Sequence, residues 1–88
     1  MKVRNMTSER TGREVSNQFI IEDGGKVYFQ SYSTIIAMKQ AGKITIDTNA
    51  ENYSRTTSKY LYQFLNTDRK SLLQAVKDGR ILRENLNA

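Results

Sequence analysis

Lys43-Ile44-Thr45-Ile46-Asp47-Thr48-Asn49-Ala50-Glu51-Asn52-Tyr53-Ser54-Arg55-Thr56-Thr57-Ser58-Lys59-Tyr60-Leu61-Tyr62-Gln63-Phe64-Leu65 changes its hydrophobic period part-way along. Up to Thr48 the period is two, with Ile44 and Ile46 on one side and Thr45 and Asp47 on the other. That alternation belongs to a half-buried strand. After Ser54 the apolar residues Tyr60, Leu61, Phe64 and Leu65 share one face of a 3.6-residue helix. Ser54 or Thr56 can cap that helix, because a hydroxyl accepts a free first-turn N–H. The chain therefore reads as strands followed by helices.

Toward the N-terminus, Val15–Glu22 is apolar and rich in β-formers, and Asp23-Gly24-Gly25 follows as a hairpin turn. Lys26–Tyr32 alternates again, Ser33–Lys39 gives a further strand, and Ala41-Gly42 marks the next turn. Residues 1–14 are polar and without period, which predicts a flexible basic arm ahead of a single domain at 15–88. Toward the C-terminus, Asn66-Thr67-Asp68 starts a second helix. Leu72, Leu73 and Val76 form its apolar stripe, Gly79 sits at its C-cap, and a short tail follows. The expected fold is α+β: an antiparallel meander of three to four strands followed by two helices packed on one face. The expected core is Phe19, Ile21, Val27, Phe29, Ile35, Ile44, Ile46, Leu61, Phe64, Leu65, Leu72 and Val76.

Composition narrows the chemistry. The 88 residues contain no Cys and no His. Disulfides are impossible, zinc sites lack their usual ligands, and imidazole acid–base catalysis is excluded. Asp23-Gly24-Gly25-Lys26 lacks the spacing of a phosphate-binding loop, and the carboxylates Asp47 and Glu51 have no companion base. We therefore expect no enzyme activity, no cofactor and no metal. No apolar run approaches the ~20 residues of a membrane span, and the N-terminus has no signal-peptide core, so a cytoplasmic protein is expected.

Charge points to the mode of action. The net charge of +5 is uneven: residues 53–83 alone carry +5, residues 1–13 carry +3, and residues 14–52 carry −2. Such asymmetry favours an anionic partner. Arg55, Lys59 and Tyr62 recur at i, i+4, i+7 on the outward face of the first helix, with Thr56 and Thr57 at its start. A cation–aromatic stripe suits phosphate contact plus base stacking. Lys70 and Lys77 form a similar stripe on the second helix, and Tyr28 and Tyr32 share a strand face where they could stack or anchor a protein contact.

The blocks Asn17–Glu22, Tyr28–Ala37 and Tyr53–Leu65 resemble a family of small proteins encoded by bacteriophages and prophages, chiefly of Gram-positive bacteria, over about residues 15–66. The resemblance implies a phage accessory protein in the host cytoplasm that binds stoichiometrically and has no active site to transfer. Its implied partner is a host protein or ribonucleoprotein of a defence system, with anti-CRISPR inhibition of an effector nuclease as the leading expectation. A nucleic-acid-binding or regulatory protein is the alternative.

Overall fold

The computed structural model describes residues 1–88. Its elements run β1 (Lys2–Thr7), β2 (Glu14–Asp23), β3 (Lys26–Ser31), β4 (Thr34–Gln40), β5 (Lys43–Asp47), a 3-10 turn (Ala50–Asn52), α1 (Arg55–Leu65), α2 (Arg69–Lys77) and β6 (Ile81–Glu84). Two-residue turns close the β2–β3 and β4–β5 hairpins, with positive φ at Gly24, Gly25, Ala41 and Gly42. That backbone matches the twist of the flanking strands, and glycine adopts it without a Cβ clash.

The strands lie in the order β1-β2-β3-β4-β5-β6 in one sheet. Every neighbouring pair is antiparallel except β5 and β6, which run parallel. The α+β class therefore stands, but the sheet has six strands rather than three or four. The two extra strands lie at its edges. Residues 1–14, read as an arm, instead carry β1, which pairs with β2 from Lys2↔Glu22 to Thr7↔Glu14. The tail beyond Gly79 supplies β6.

Register divides the sheet into two faces. Ile20, Phe29, Ala37 and Ile46 line up across β2–β5 on one face, with Val27, Lys39, Ile44 and Ile81 in the adjoining row. The helices cover this face: the Phe64 ring of α1 lies 5.8 Å from Phe29, and α2 packs beside β6. Lys39 rises from the same face, donates to the Phe64 carbonyl and sits 4.4 Å from the Phe64 ring centroid. Burial holds its ammonium pKa below the usual lysine value.

The core departs from the expected set by strand parity. Ile20 is buried, while Phe19 and Ile21 are half-buried on the opposite face. The run Phe19-Ile20-Ile21 is apolar on both faces, so alternation alone could not choose between them. A bulge between Phe29/Ala37 and Gln30/Ile35 accommodates Ile36 as an extra residue. Ile36 and Ala37 are consequently both buried, and Ile35 turns to the other face. On α2, Ala75 is buried with Leu72, whereas Leu73 is exposed.

Both helices are capped by side chains. Ser54 accepts from the Thr57 N–H at 3.2 Å, and Asp68 accepts from the Ser71 N–H at 2.7 Å. Asp68 is thus the cap of α2. Asn66 ends α1 in the left-handed region at φ 54, and Gly79 follows α2 at φ 79.

Asp47 organises the C-terminal tail. Its carboxylate accepts from the Leu86 and Asn49 backbone N–H groups, the Tyr53 hydroxyl and the Asn87 amide. Burial alone would raise its pKa, but these donors outweigh it and leave the pKa below the ordinary aspartate value. A depressed pKa stabilises the fold above the unfolded value of about 3.9, and that contribution is lost as pH falls through the folded value. Asp47→Asn should therefore be less stable than the native chain at pH 7, by about 1–3 kcal/mol. The gap in melting temperature should narrow as pH falls from about 4 through the lower folded value; a gap independent of pH would contradict this account.

Gln18 is fully buried, and neither its amide oxygen nor its amide nitrogen has a hydrogen-bond partner. A desolvated, unpaired amide costs stability. Gln18→Met keeps similar volume without the polar atoms, so it should raise thermal stability by about 1–3 kcal/mol. Calorimetric melting of the variant checks this; an unchanged or lower midpoint would be the contrary result.

Candidate functional site

The residues expected to bind are scattered by the fold. Lys59 and Tyr62 project from α1 beside the β1–β2 loop, and Lys70 projects from α2. Arg55 and Thr56 are exposed at the start of α1, away from the depression that Lys59 and Tyr62 line. Lys77 is exposed in the last turn of α2. Tyr28 lies on the sheet face opposite the helices, and Tyr32 is exposed at the β3–β4 turn with φ 56.

Two adjoining depressions join part of this set to residues that the sequence reading did not select. The first, of about 510 Å³, is lined by Ser8, Glu9 and Arg10 of the β1–β2 loop and by Lys59, Tyr62 and Gln63 of α1. The second, of about 680 Å³, lies over α2 and β6 and is lined by Lys70, Ser71, Gln74 and Arg80, with Ile44, Leu65 and Ile81 at its base. Asn66 and Thr67 line both, so one groove passes across the α1–α2 turn. Its ionisable side chains are Arg10, Lys59, Lys70 and Arg80 against the single carboxylate Glu9.

Local bonding sets the shape of the groove. The Gln63 side-chain amide donates to the Thr7 carbonyl at 2.7 Å, tying α1 to the end of β1. Across the loop, Ser8 N–H donates to the Arg13 carbonyl at 2.9 Å and Gly12 N–H to the Ser8 carbonyl at 2.8 Å. The Ser8 hydroxyl accepts from the Arg10 N–H at 3.2 Å. The left-handed Asn66 turns the chain sharply between the helices, bringing Lys70 next to the end of α1. Arg80 makes one ion pair, 3.1 Å to Asp78, with both side chains exposed. Such a pair contributes little and yields readily to a stronger anion.

The groove supplies four cations, amide and hydroxyl donors, and one half-buried tyrosine ring. That set suits a chain of phosphates with an unstacked base. Arg10 and Arg80 carry little local signal of their place, which depends on the two edge strands. The legible trace of Arg10 was the Ser8-to-Gly12 turn, which closes a hairpin instead of belonging to an arm.

Thr57 has a structural part. It is buried, its hydroxyl lies 2.8 Å from the Ser31 hydroxyl of β3, and it also receives a hydrogen bond from Ser54 at 3.1 Å. Thr57→Val keeps the shape and strands the Ser31 hydroxyl, which should cost about 1–3 kcal/mol. Chemical denaturation should show that loss while groove binding by the folded protein stays unchanged; reduced affinity with native stability would return Thr57 to the binding surface.

No helix of the chain is long and apolar enough to cross a membrane. No curated protein and no solved structure matches the chain. One family model does, over residues 1–79, and its description is a family of unknown function, DUF8033. The match includes β1 and both helices, and so most of the groove. The chain belongs to the DUF8033 family.

Proposed function

We propose that this protein binds single-stranded nucleic acid stoichiometrically along the groove across the α1–α2 turn. The observation that carries the reading is the run of cations along the groove, Arg10 and Lys59 beside Tyr62 in one depression and Lys70 and Arg80 in the next, joined at Asn66 and Thr67, with one opposing carboxylate. Cations spaced along a groove follow a phosphate backbone, and a tyrosine face stacks a base without demanding a sequence. The groove holds no imidazole or thiol, and its only carboxylate lies among cations, which supports binding rather than turnover. The resemblance to phage proteins supports a setting in the host cytoplasm. There the strand would belong to a defence ribonucleoprotein, and occupying it would inhibit a CRISPR effector nuclease.

Salt dependence tests the groove directly. A single strand neutralised by four cations should show log affinity falling with log salt at a slope of about −3, from ~0.7 per phosphate contact. Lys59→Glu with Arg80→Glu should weaken binding at least tenfold and flatten that slope. Melting should stay near native, because exposed substitutions usually change stability by less than about 0.5 kcal/mol each. Titration of a fluorescent oligonucleotide into native and variant protein gives both readings. An absence of binding, or affinity indifferent to salt and to both substitutions, would overturn the proposal.

A further inference from the structure

The sheet face turned away from the helices is apolar across its width. Val3, Ile21, Tyr28, Met38 and Leu82 stand in one row through β1, β2, β3, β4 and β6, interrupted only by Thr45 of β5. In the adjoining row Phe19 and Ile35 alternate with the polar Asn5 and Gln30. Its two ends are the most open, with Val3 57% and Leu82 47% exposed. No element of the chain packs over this row: α1 and α2 lie on the other face, and the tail reaches only the end near Ile35 and Asp47, through Asn87 and Leu86. A contiguous apolar patch of this kind marks an interaction surface.

We infer that this face pairs with the same face of a second copy, forming a two-fold dimer in which two sheets stack and the helices lie outside. Charge is the first argument. The chain carries +5, yet the ionisable side chains on this face come to −1, with Asp23, Asp47 and Glu84 against Lys26 and Lys43, and the tail's donors already enclose the Asp47 carboxylate. A face with no positive excess does not select a polyanion, and one so near neutral can approach its own copy with little net repulsion. Lys43 opens β5, and Glu84 closes β6, which runs parallel to it. A two-fold axis across the strands brings Lys43 of each copy toward Glu84 of the other, as a self-complementary interface requires.

Area is the second argument. Six strands at ~4.8 Å spacing and strands of about six residues make a face of roughly 29 by 20 Å. Stacked on a copy, two such footprints approach the ~1,200 Å² total at the lower end of specific interfaces. The sheet edge is a poorer site. Lys2 and Arg4 lie on one side of β1, and antiparallel pairing of two β1 strands would set these cations against each other. Both basic grooves remain outward in the face-to-face dimer, so the inference stands independently of what the grooves bind.

Sedimentation equilibrium of the full chain, without nucleic acid, tests the pairing. The expected mass is twice the 10.1 kDa of one chain, with Met38→Lys reverting to a single chain of native circular dichroism. The sequence has no cysteine, so Met38→Cys supplies the only thiol. A short thiol crosslinker should join two Met38→Cys chains, and should not join chains carrying Lys77→Cys on the helix side. A native chain that sediments as a monomer at ~100 μM would overturn the inference and assign the face to a different partner. A dimer that survives Met38→Lys and resists crosslinking at position 38 would overturn it in favour of another interface.

Discussion

Because β6 runs parallel to β5, the chain between them must travel back along the length of the sheet before it can re-enter. Adjacent parallel strands cannot be joined by a tight turn. The returning segment is the 3-10 turn with α1 and α2, and it crosses one face of the sheet. Much else follows from that constraint. One face is buried beneath the helices and the other stays open. The α1–α2 turn lies over the sheet beside β6, where Lys70 and Arg80 meet. The charge of residues 53–83 is thereby gathered on the helical side.

The crossing helix is fixed at its C-terminal end by Lys39. Its amine satisfies the Phe64 carbonyl, and the same carbonyl end of a helix favours positive charge. Phe64 packs on Phe29 directly beneath. This contact spares α1 an unpaired carbonyl over the core. The cation is therefore spent on architecture, unlike Lys59 one face away, which remains exposed in the groove.

How much of this could be read from the residues depended on whether the signal was local. The four central strands, both helices, the Gly24-Gly25 turn and the Ser54 cap are written in short-range pattern, and they are present. β1 and β6 are not written that way. Lys2–Thr7 and Ile81–Glu84 are short and mix apolar with charged residues without a clear alternation, and each becomes a strand only because a neighbour's edge is available. Missing them hid Arg10 and Arg80, which those strands place. Lys59, Tyr62 and Lys70 were legible because they sit on helices with clear faces. Arg55 shares a stripe with Lys59 but falls outside the lining of the groove, since helical spacing says nothing about where neighbouring loops lie. Strand parity failed at Phe19-Ile20-Ile21 and at the Ile36 bulge, where apolar residues run consecutively.

The parallel pair also dictates an order of events in folding. The hairpins from β1 to β5 close short loops, whereas joining β5 to β6 must first close a loop holding both helices. Closure entropy rises with loop length, so non-local pairing of this kind lags behind local hairpins. The groove is floored by Ile44 of β5 and Ile81 of β6 and carries Arg80 at the start of β6. A chain whose meander had formed but whose last strand had not docked would hold Lys59 and Tyr62 on their helix with no continuous path to Arg80. Anion affinity would then arise in the final step of folding, and recognition would be confined to chains that had completed it.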